Sequence, residues 1–264
     1  MRNGEFEDPR LVPVYDAQFG WGPDDDFFRS VVDETPAARV LDLGCGTGRL
    51  TIALAGGGHR VTGVDPARAS LLAARAKPGA ERVTWIEGTS RDLPDAAFDV
   101  AVMTSHVAQF LVTDDDLAAV FADLSRSLVP GGRLVFDSRD PRDRKWEEWN
   151  PLDSRRPVVL PDGRVVEVRT EVTSVVEHAV AFTMHFAFPD GEELLSTATL
   201  RFRTEAELRS ALEQAAFTVD RVYGGWQRQP VGEGDGELLV IARRASPWLT
   251  SLPRADQHTD GHEL

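Results

Sequence analysis

The chain has 264 residues, 42% of them hydrophobic and 27% charged, with a formal net charge of −14. That length supports one large domain with a well-buried core or two small ones, and the composition excludes a disordered chain. The acidity argues against non-specific attachment to nucleic acid or anionic lipid, no apolar run approaches the roughly 18 residues of a membrane span, and the lone cysteine, Cys45, excludes an internal disulfide. The opening residues, MRNGEFEDPR, lack the apolar core of a secretory leader, so a reducing, cytoplasmic setting is expected.

In chain order, residues 1–38 read as an N-terminal cap segment. Within it Asp24, Asp25 and Asp26 start a helix with Phe27, Phe28, Val31 and Val32 on its inner side. From 39 to 138 short apolar runs alternate with helical segments. Strands are predicted at 40–43, 60–64, 83–87, 98–103 and 133–137, and helices at 50–55, 67–76 and 114–128. The last helix is the clearest: Leu117, Val120, Phe121, Leu124 and Leu128 share one face, with Thr113 at the N-cap. Pro130-Gly131-Gly132 is expected to stop this helix and turn the chain into the next strand. Such alternation predicts a parallel sheet with helices on both faces.

After residue 137 the rhythm changes. Two Pro-Asp-Gly turns, at 161–163 and 189–191, sit among β-branched and aromatic residues, which predicts an antiparallel meander of three or four strands within 139–203. Residues 204–244 return to the core with a helix at 205–216, capped by Thr204, and strands near 218–223 and 237–242. Five parallel strands and these two make a doubly wound, mostly parallel α/β sheet of seven strands with an antiparallel insertion after the fifth. Residues 245–264 read as a poorly ordered tail.

The stretch VLDLGCGTGRL places Gly44, Gly46 and Gly48 at every second position after the first strand. That strand tip is the ligand edge of an open α/β sheet. Glycine there permits a tight turn with no side chain between backbone and ligand, and the next helix offers unpaired N–H groups. A dinucleotide loop spaced G-x-G-x-x-G would need glycine where Arg49 stands, so the ligand is expected to lack a pyrophosphate, which argues against a nicotinamide dehydrogenase. The second strand ends VTGVDP. Asp65 at its tip is placed to accept hydrogen bonds from two ribose hydroxyls, and Pro66 suits the start of a helix. Glycine loop and terminal acid together read as an adenosine site.

These motifs resemble the class I S-adenosylmethionine-dependent methyltransferases, whose first motif is an acidic residue followed by G-x-G-x-G. The likeness runs from about residue 15 to 243 and includes FDVAVM, LVPGGRLVFDSRDP, FTVDRVYGG and ELLVIARR, while FDSRDPRDRKWEEW is similar to small actinobacterial-type members. The resemblance implies a Rossmann-like fold, S-adenosylmethionine as cofactor, S-adenosylhomocysteine as product, and methyl transfer to a small-molecule acceptor on oxygen, nitrogen or carbon. The alternative is a non-catalytic holder of the cofactor, acting as sensor or scaffold. By position it also implies that Gly44, Cys45, Gly46 and Gly48 follow the methionine part, that Asp42 holds the loop or the ammonium, and that Asp65 with Pro66 receives the ribose. Tyr15 and Trp21 would close the other side of the cofactor, with Trp21 counted among the acceptor residues. Thr89 stands where an acid usually meets adenine, followed by Ser90, and Thr104, Ser105 and His106 fall near the sulfonium.

On the acceptor side, His106 is the candidate catalytic acid or base, since its ordinary pKa lets it take a proton near neutral pH. Gln109 either orients a substrate or lies on a helix surface. The stretch SRDPRDRKWEEWN, with Arg139, Trp146 and Trp149, is either a cover with aromatic walls and a cation for an anionic substrate, or a charged helix whose tryptophans pack under the meander. No metal site is read. The expected partner is a small molecule rather than nucleic acid or membrane, with the chain a monomer or homodimer.

Overall fold

A computed structural model of the chain describes residues 1–245, so almost all of the expected tail lies outside the described residues. Strands β1 (Arg39–Leu43), β2 (Arg60–Asp65), β3 (Thr84–Glu87), β4 (Phe98–Met103) and β5 (Leu128–Arg139) form the parallel part of the main sheet. The chain then leaves for β6 (Arg156–Val159), β7 (Val165–Val176), β8 (Ala179–Ala187) and β9 (Glu193–Arg201), an antiparallel sheet of four strands. It returns as β10 (Phe217–Tyr223) and β11 (Glu237–Arg244). The main sheet has the order β10-β11-β5-β4-β1-β2-β3, with β11 antiparallel to both neighbours. Strand order reverses beside β1, so a crevice opens at the carboxyl ends of β1 and β4.

Three helices precede the sheet: α1 (Gly4–Glu7), α2 (Val12–Gln18) and α3 (Pro23–Asp33). Among the described residues four α-helices alternate with the later strands: α4 (Arg49–Gly56), α5 (Arg68–Arg75), α6 (Asp114–Ser127) and α7 (Glu205–Gln214). The main sheet is apolar on both faces because helices cover both. On one face Leu41, Met103 and Phe136 pack with Phe121 and Leu212; on the other Val40, Val102 and Val135 pack with Phe28, Val31 and Leu54. The inward set expected for α3 is buried throughout. Among the described residues no helix is long and apolar enough to cross a membrane.

One local expectation is corrected. The helix does end before Pro130, at Ser127, but Pro130-Gly131-Gly132 is not a turn between elements. Strand β5 already begins at Leu128, and its pairing with β4 jumps from Phe98↔Leu128 to Val100↔Arg133. Proline cannot donate to a ladder and Gly131 takes φ +79°, so the segment bulges within the strand.

The second sheet buries Val166, Val168 and Phe186 against Leu11 and Val14 at the start of the chain. Its other cluster joins Phe182, Leu200 and Phe202 to Trp146. Arg203, just past β9, is fully buried. Its guanidinium donates to the carbonyls of Leu111 and Thr113 at 2.8 and 2.9 Å and to Asp114 Oδ1 at 3.1 Å. This clamp fixes the loop between β4 and α6 to the end of the second sheet. Arg203→Met keeps the apolar stem but strands those carbonyls, a loss of about 3 kcal/mol. Thermal denaturation is expected to shift down by about 6–12 °C, with faster amide exchange confined to residues 107–113.

Candidate active site

The loop after β1 takes its shape from main-chain bonds to the tip of β2. Gly44 N–H donates to the Val64 carbonyl at 2.8 Å, and Gly46 N–H donates to Asp65 Oδ2 at 2.7 Å. The other oxygen, Asp65 Oδ1, accepts from Ala67 N–H at 2.8 Å. Gly46 sits at φ +51°, and nothing lies within 4 Å of where its Cβ would stand, so its bare face meets open space. Gly48, at φ +79°, is glycine for a different reason: a Cβ there would come within 2.5 Å of the Trp85 ring.

Above this loop opens a cavity of about 200 Å³. Of the residues expected at the cofactor, Tyr15, Asp42, Gly44, Cys45, Gly46, Asp65, Pro66 and Ser105 line it, as does Thr104. Its remaining wall includes Asn3, Phe6 and Glu7 from the N-terminal segment, Asp25 and Arg49. The N-terminal contribution carried little sequence signal, because α1 spans only four residues. Arg49, in the place that excluded the dinucleotide spacing, is itself a wall residue. It is held by Asp25, whose Oδ2 lies 2.9 Å from its Nε.

Four expected cofactor residues lie outside this lining. Gly48 packs on Trp85. Thr89 is exposed and caps a short 3₁₀ turn, its N–H donating to Asp92 Oδ2 at 2.8 Å. Ser90 is buried and donates to Asp123 Oδ2 at 2.7 Å. His106 is turned into a cluster of its own, described below. Among the expected acceptor residues, Trp21 is 44% exposed and donates to Asp26 at 2.8 Å, away from the cavity. Trp146 is core, packed edge-on against Phe202 at 4.8 Å. Trp149 lies against Phe182 at 5.1 Å with Arg139 over its ring. Gln109 is buried rather than on a helix surface, with Oε1 accepting from Arg139 at 3.0 Å.

The cavity floor is electrostatically unusual. Asp42 is fully buried. Its Oδ2 accepts from Thr51 at 2.6 Å, while Oδ1 has no partner among the described residues. Burial pushes its pKa up to about 7 against the opposing pull of the Thr51 hydrogen bond. Asp65 is also raised by burial, which the amides of Ala67 and Gly46 partly offset. Burial raises the Cys45 thiol far above its ordinary value, so Cys45 serves as a small wall residue rather than a thiolate.

Beside the cavity, at the tips of β4, β5 and β11, His106 meets two acids. Its Nε2 lies 2.9 Å from Glu237 Oε2 and 3.4 Å from Asp137 Oδ2, and its backbone N–H donates to Asp137 Oδ1 at 3.0 Å. His106 holds φ +63°, a left-handed conformation that this bond to Asp137 helps to maintain. Burial pushes the imidazole down to about 4, Asp137 up to about 6 and Glu237 up to about 8. Near neutral pH a proton therefore rests on the carboxyl side of the His106–Glu237 contact. One ligand atom from each of the three lies within 4.8 Å of the others, a donor set that a divalent cation would also accept. Asp137 and Glu237 are not among the residues expected from sequence; the signal is an acid at one end of each of two apolar runs, after Phe136 and before Leu238.

These features fit S-adenosylmethionine: an unpaired buried carboxylate oxygen for an ammonium, a bare glycine face for the chain, and a fixed carboxylate for vicinal hydroxyls. Fold and loop thus define a nucleoside-binding α/β protein of the doubly wound type. The methyltransferase domain family matches residues 40–132. The cypemycin N-terminal methyltransferase of a Streptomyces species is 31% identical over 208 residues, covering 78% of this chain and 82% of that protein. The S-adenosylmethionine-bound structure of CalS10, an amino pentose methyltransferase from Micromonospora echinaspora, superposes with a TM-score of 0.66 at 25% identity, over 89% of this chain and 97% of that one. The sugar N-methyltransferase KedS8 from Streptoalloteichus shares the fold, with a TM-score of 0.68 at 21% identity over 85% and 88% of the two chains. The chain belongs to the class I S-adenosylmethionine-dependent methyltransferases; it is an enzyme, and S-adenosylmethionine is its cofactor.

Asp42 links cofactor and stability with opposite signs. Its folded pKa lies above the unfolded value, so the protonated group is tolerated at low pH and stability is lost as pH rises from about 4 to about 7. Asp42→Asn is expected to melt about 4 °C or more above the wild type at pH 8 and to converge with it near pH 4, in paired calorimetric scans. In the same variant S-adenosylmethionine should bind at least about tenfold more weakly, while Asp65→Ala should weaken S-adenosylhomocysteine by about tenfold or more in titration calorimetry.

Proposed function

We propose that this enzyme methylates a nitrogen of a small-molecule amine held at the tips of β4, β5 and β11, with the His106–Glu237 pair receiving the proton that the amine releases. The observation that supports this reading most directly is the buried cluster of His106, Asp137 and Glu237, next in sequence to the cavity residue Ser105. Two acids flanking one imidazole favour a cationic or hydrogen-bond-donating acceptor. Two relatives named for methyl transfer to an N-terminus and to an amino pentose support the same choice.

When bound, S-adenosylmethionine supplies a methyl already activated on sulfur. The work left to this chain is positioning and proton handling. Asp65 would accept from the ribose hydroxyls with the lone pairs that Gly46 and Ala67 leave free. Asp42 Oδ1 would take the ammonium, and the bare face of Gly46 would let main chain approach closely. Tyr15 and Phe6 would exclude water on the N-terminal side. Alignment of this kind contributes about 7–11 kcal/mol in favourable cases, and a placed base about 10²–10⁴-fold.

Incubation with S-adenosylmethionine and a panel of amino sugars, amines and matched alcohols should yield N-methylated products by mass spectrometry; methylation confined to the alcohols would overturn the amine assignment. Glu237 faces Arg139, Asp235, Lys145 and Asp24, and of these Arg139 has the largest opposing effect on its raised pKa. Since the acceptor form is the deprotonated one, kcat/KM should fall as pH drops below about 8. Glu237→Gln should reduce kcat by about 10²-fold or more and remove that limb; a limb that persists belongs to the amine itself.

A further inference from the structure

Arg139 ends β5, directly opposite Glu237 in the antiparallel pairing with β11. Its Nη1 donates to Gln109 Oε1 at 3.0 Å, and its guanidinium carbon sits 5.4 Å from the centre of the Trp149 ring. Among the described residues no carboxylate forms an ion pair with it, and Asp137 and Glu237 act on it only through space. The bond to Arg139 also fixes the Gln109 amide. Oxygen must face the guanidinium, which has no acceptor, so Nε2 points elsewhere. That nitrogen is buried and has no partner among the described residues.

Nearly all buried polar groups in proteins are paired, and leaving one unpaired costs about 1–3 kcal/mol. An unpartnered amide donor therefore lies next to a partly buried guanidinium that forms no ion pair among the described residues. A guanidinium over an aromatic face, with a neutral donor beside it, matches the oxygens of a carboxylate or a phosphate. Trp146 and Phe182 hold Trp149 in place through Phe202 and by direct contact, so the platform is rigid.

We propose that Arg139, Gln109 and Trp149 form an anion subsite that binds a carboxylate or phosphate group carried by the methyl acceptor. It rests on the reading that this sheet edge receives the acceptor, and it narrows the acceptor to an amine that also bears an anionic oxygen group. The acids around His106 then face the amine end and Arg139 the anionic end.

The test is a tryptophan fluorescence titration of the whole chain, saturated with S-adenosylhomocysteine, using inorganic phosphate, acetate, and chloride at matched ionic strength. A saturable change with phosphate or acetate, absent with chloride, is expected, and whichever anion saturates at lower concentration identifies the group. Arg139→Gln should raise the midpoint by about tenfold or more and Gln109→Leu by about threefold or more. S-adenosylhomocysteine affinity, read by calorimetry, should stay at the wild-type value in both, since neither residue lines the cofactor cavity. No saturable response to either anion, or an unchanged midpoint in Arg139→Gln, overturns the subsite. Failure of the wild type to bind S-adenosylhomocysteine would instead strike the cofactor site.

Discussion

One carboxylate joins the parts on which the cofactor site depends. Asp65 accepts from Gly46 on one side and Ala67 on the other, so the end of β2 dictates the path of the loop after β1 and the approach to α5. Gly44 and Cys45 reinforce this by donating to the Val64 carbonyl. A loop with three residues at positive φ has no ladder of its own to define it. Its shape comes from the neighbouring strand, and this is possible because β1 and β2 are adjacent and parallel with their tips in register, Leu43 beside Val64. The same carboxylate that shapes the loop lines the cavity, so loop geometry and the form of the cavity wall are one constraint.

The ligand edge carries several buried acids, and each is held where burial makes its charge unfavourable. Asp42, Asp137 and Glu237 all have pKa values raised chiefly by burial. Isolated, such groups would cost stability without return. They are tolerated because the rest of the sheet is covered by apolar layers on both faces. The N-terminal segment closes the opposite wall and is itself tied down. Asp16 accepts from Thr47 in the loop and from Lys77 beyond α5, and Asn3 N–H donates to the Thr197 carbonyl of β9 at 2.8 Å. The cofactor wall and the second sheet are thus mechanically connected.

Much of this is legible in the sequence. Apolar runs at strand length, separated by helical periodicity, define the seven-stranded sheet, and Gly44, Gly46 and Asp65 mark the edge at which the cavity opens. Two hairpin turns of the second sheet were visible as Pro-Asp-Gly. The turn between β7 and β8 was not, because Glu177 and His178 take positive φ without being glycine, and only the flanking pairing forces them there. Thr89 and Ser90 lie outside the cavity lining for a related reason. A capping bond to Asp92 and a buried bond to Asp123 are contacts with residues that no motif position indicates. The partners of His106 come from β5 and β11, the latter 131 residues away, a separation at which sequence pattern carries no pairing information.

That separation also explains why the proposed acceptor side is assembled where it is. Strand β11 runs antiparallel to β5, so its first residue, Glu237, arrives at the same edge as the last residue of β5, Arg139. A parallel strand in that place would bring its carboxyl end to this edge and its first residue to the far one. The antiparallel closing strand therefore supplies an acid to the ligand edge from a part of the chain that the βαβ units cannot reach. The second sheet, inserted between β5 and α7, is anchored at its exit by Arg203 and at its entrance by Trp146. Arg203 grips the loop that follows Gln109 and Phe110, and Phe110 packs against the cluster that holds Trp146, so the proposed acceptor side takes its chemistry from the main sheet and its rigidity from the insertion.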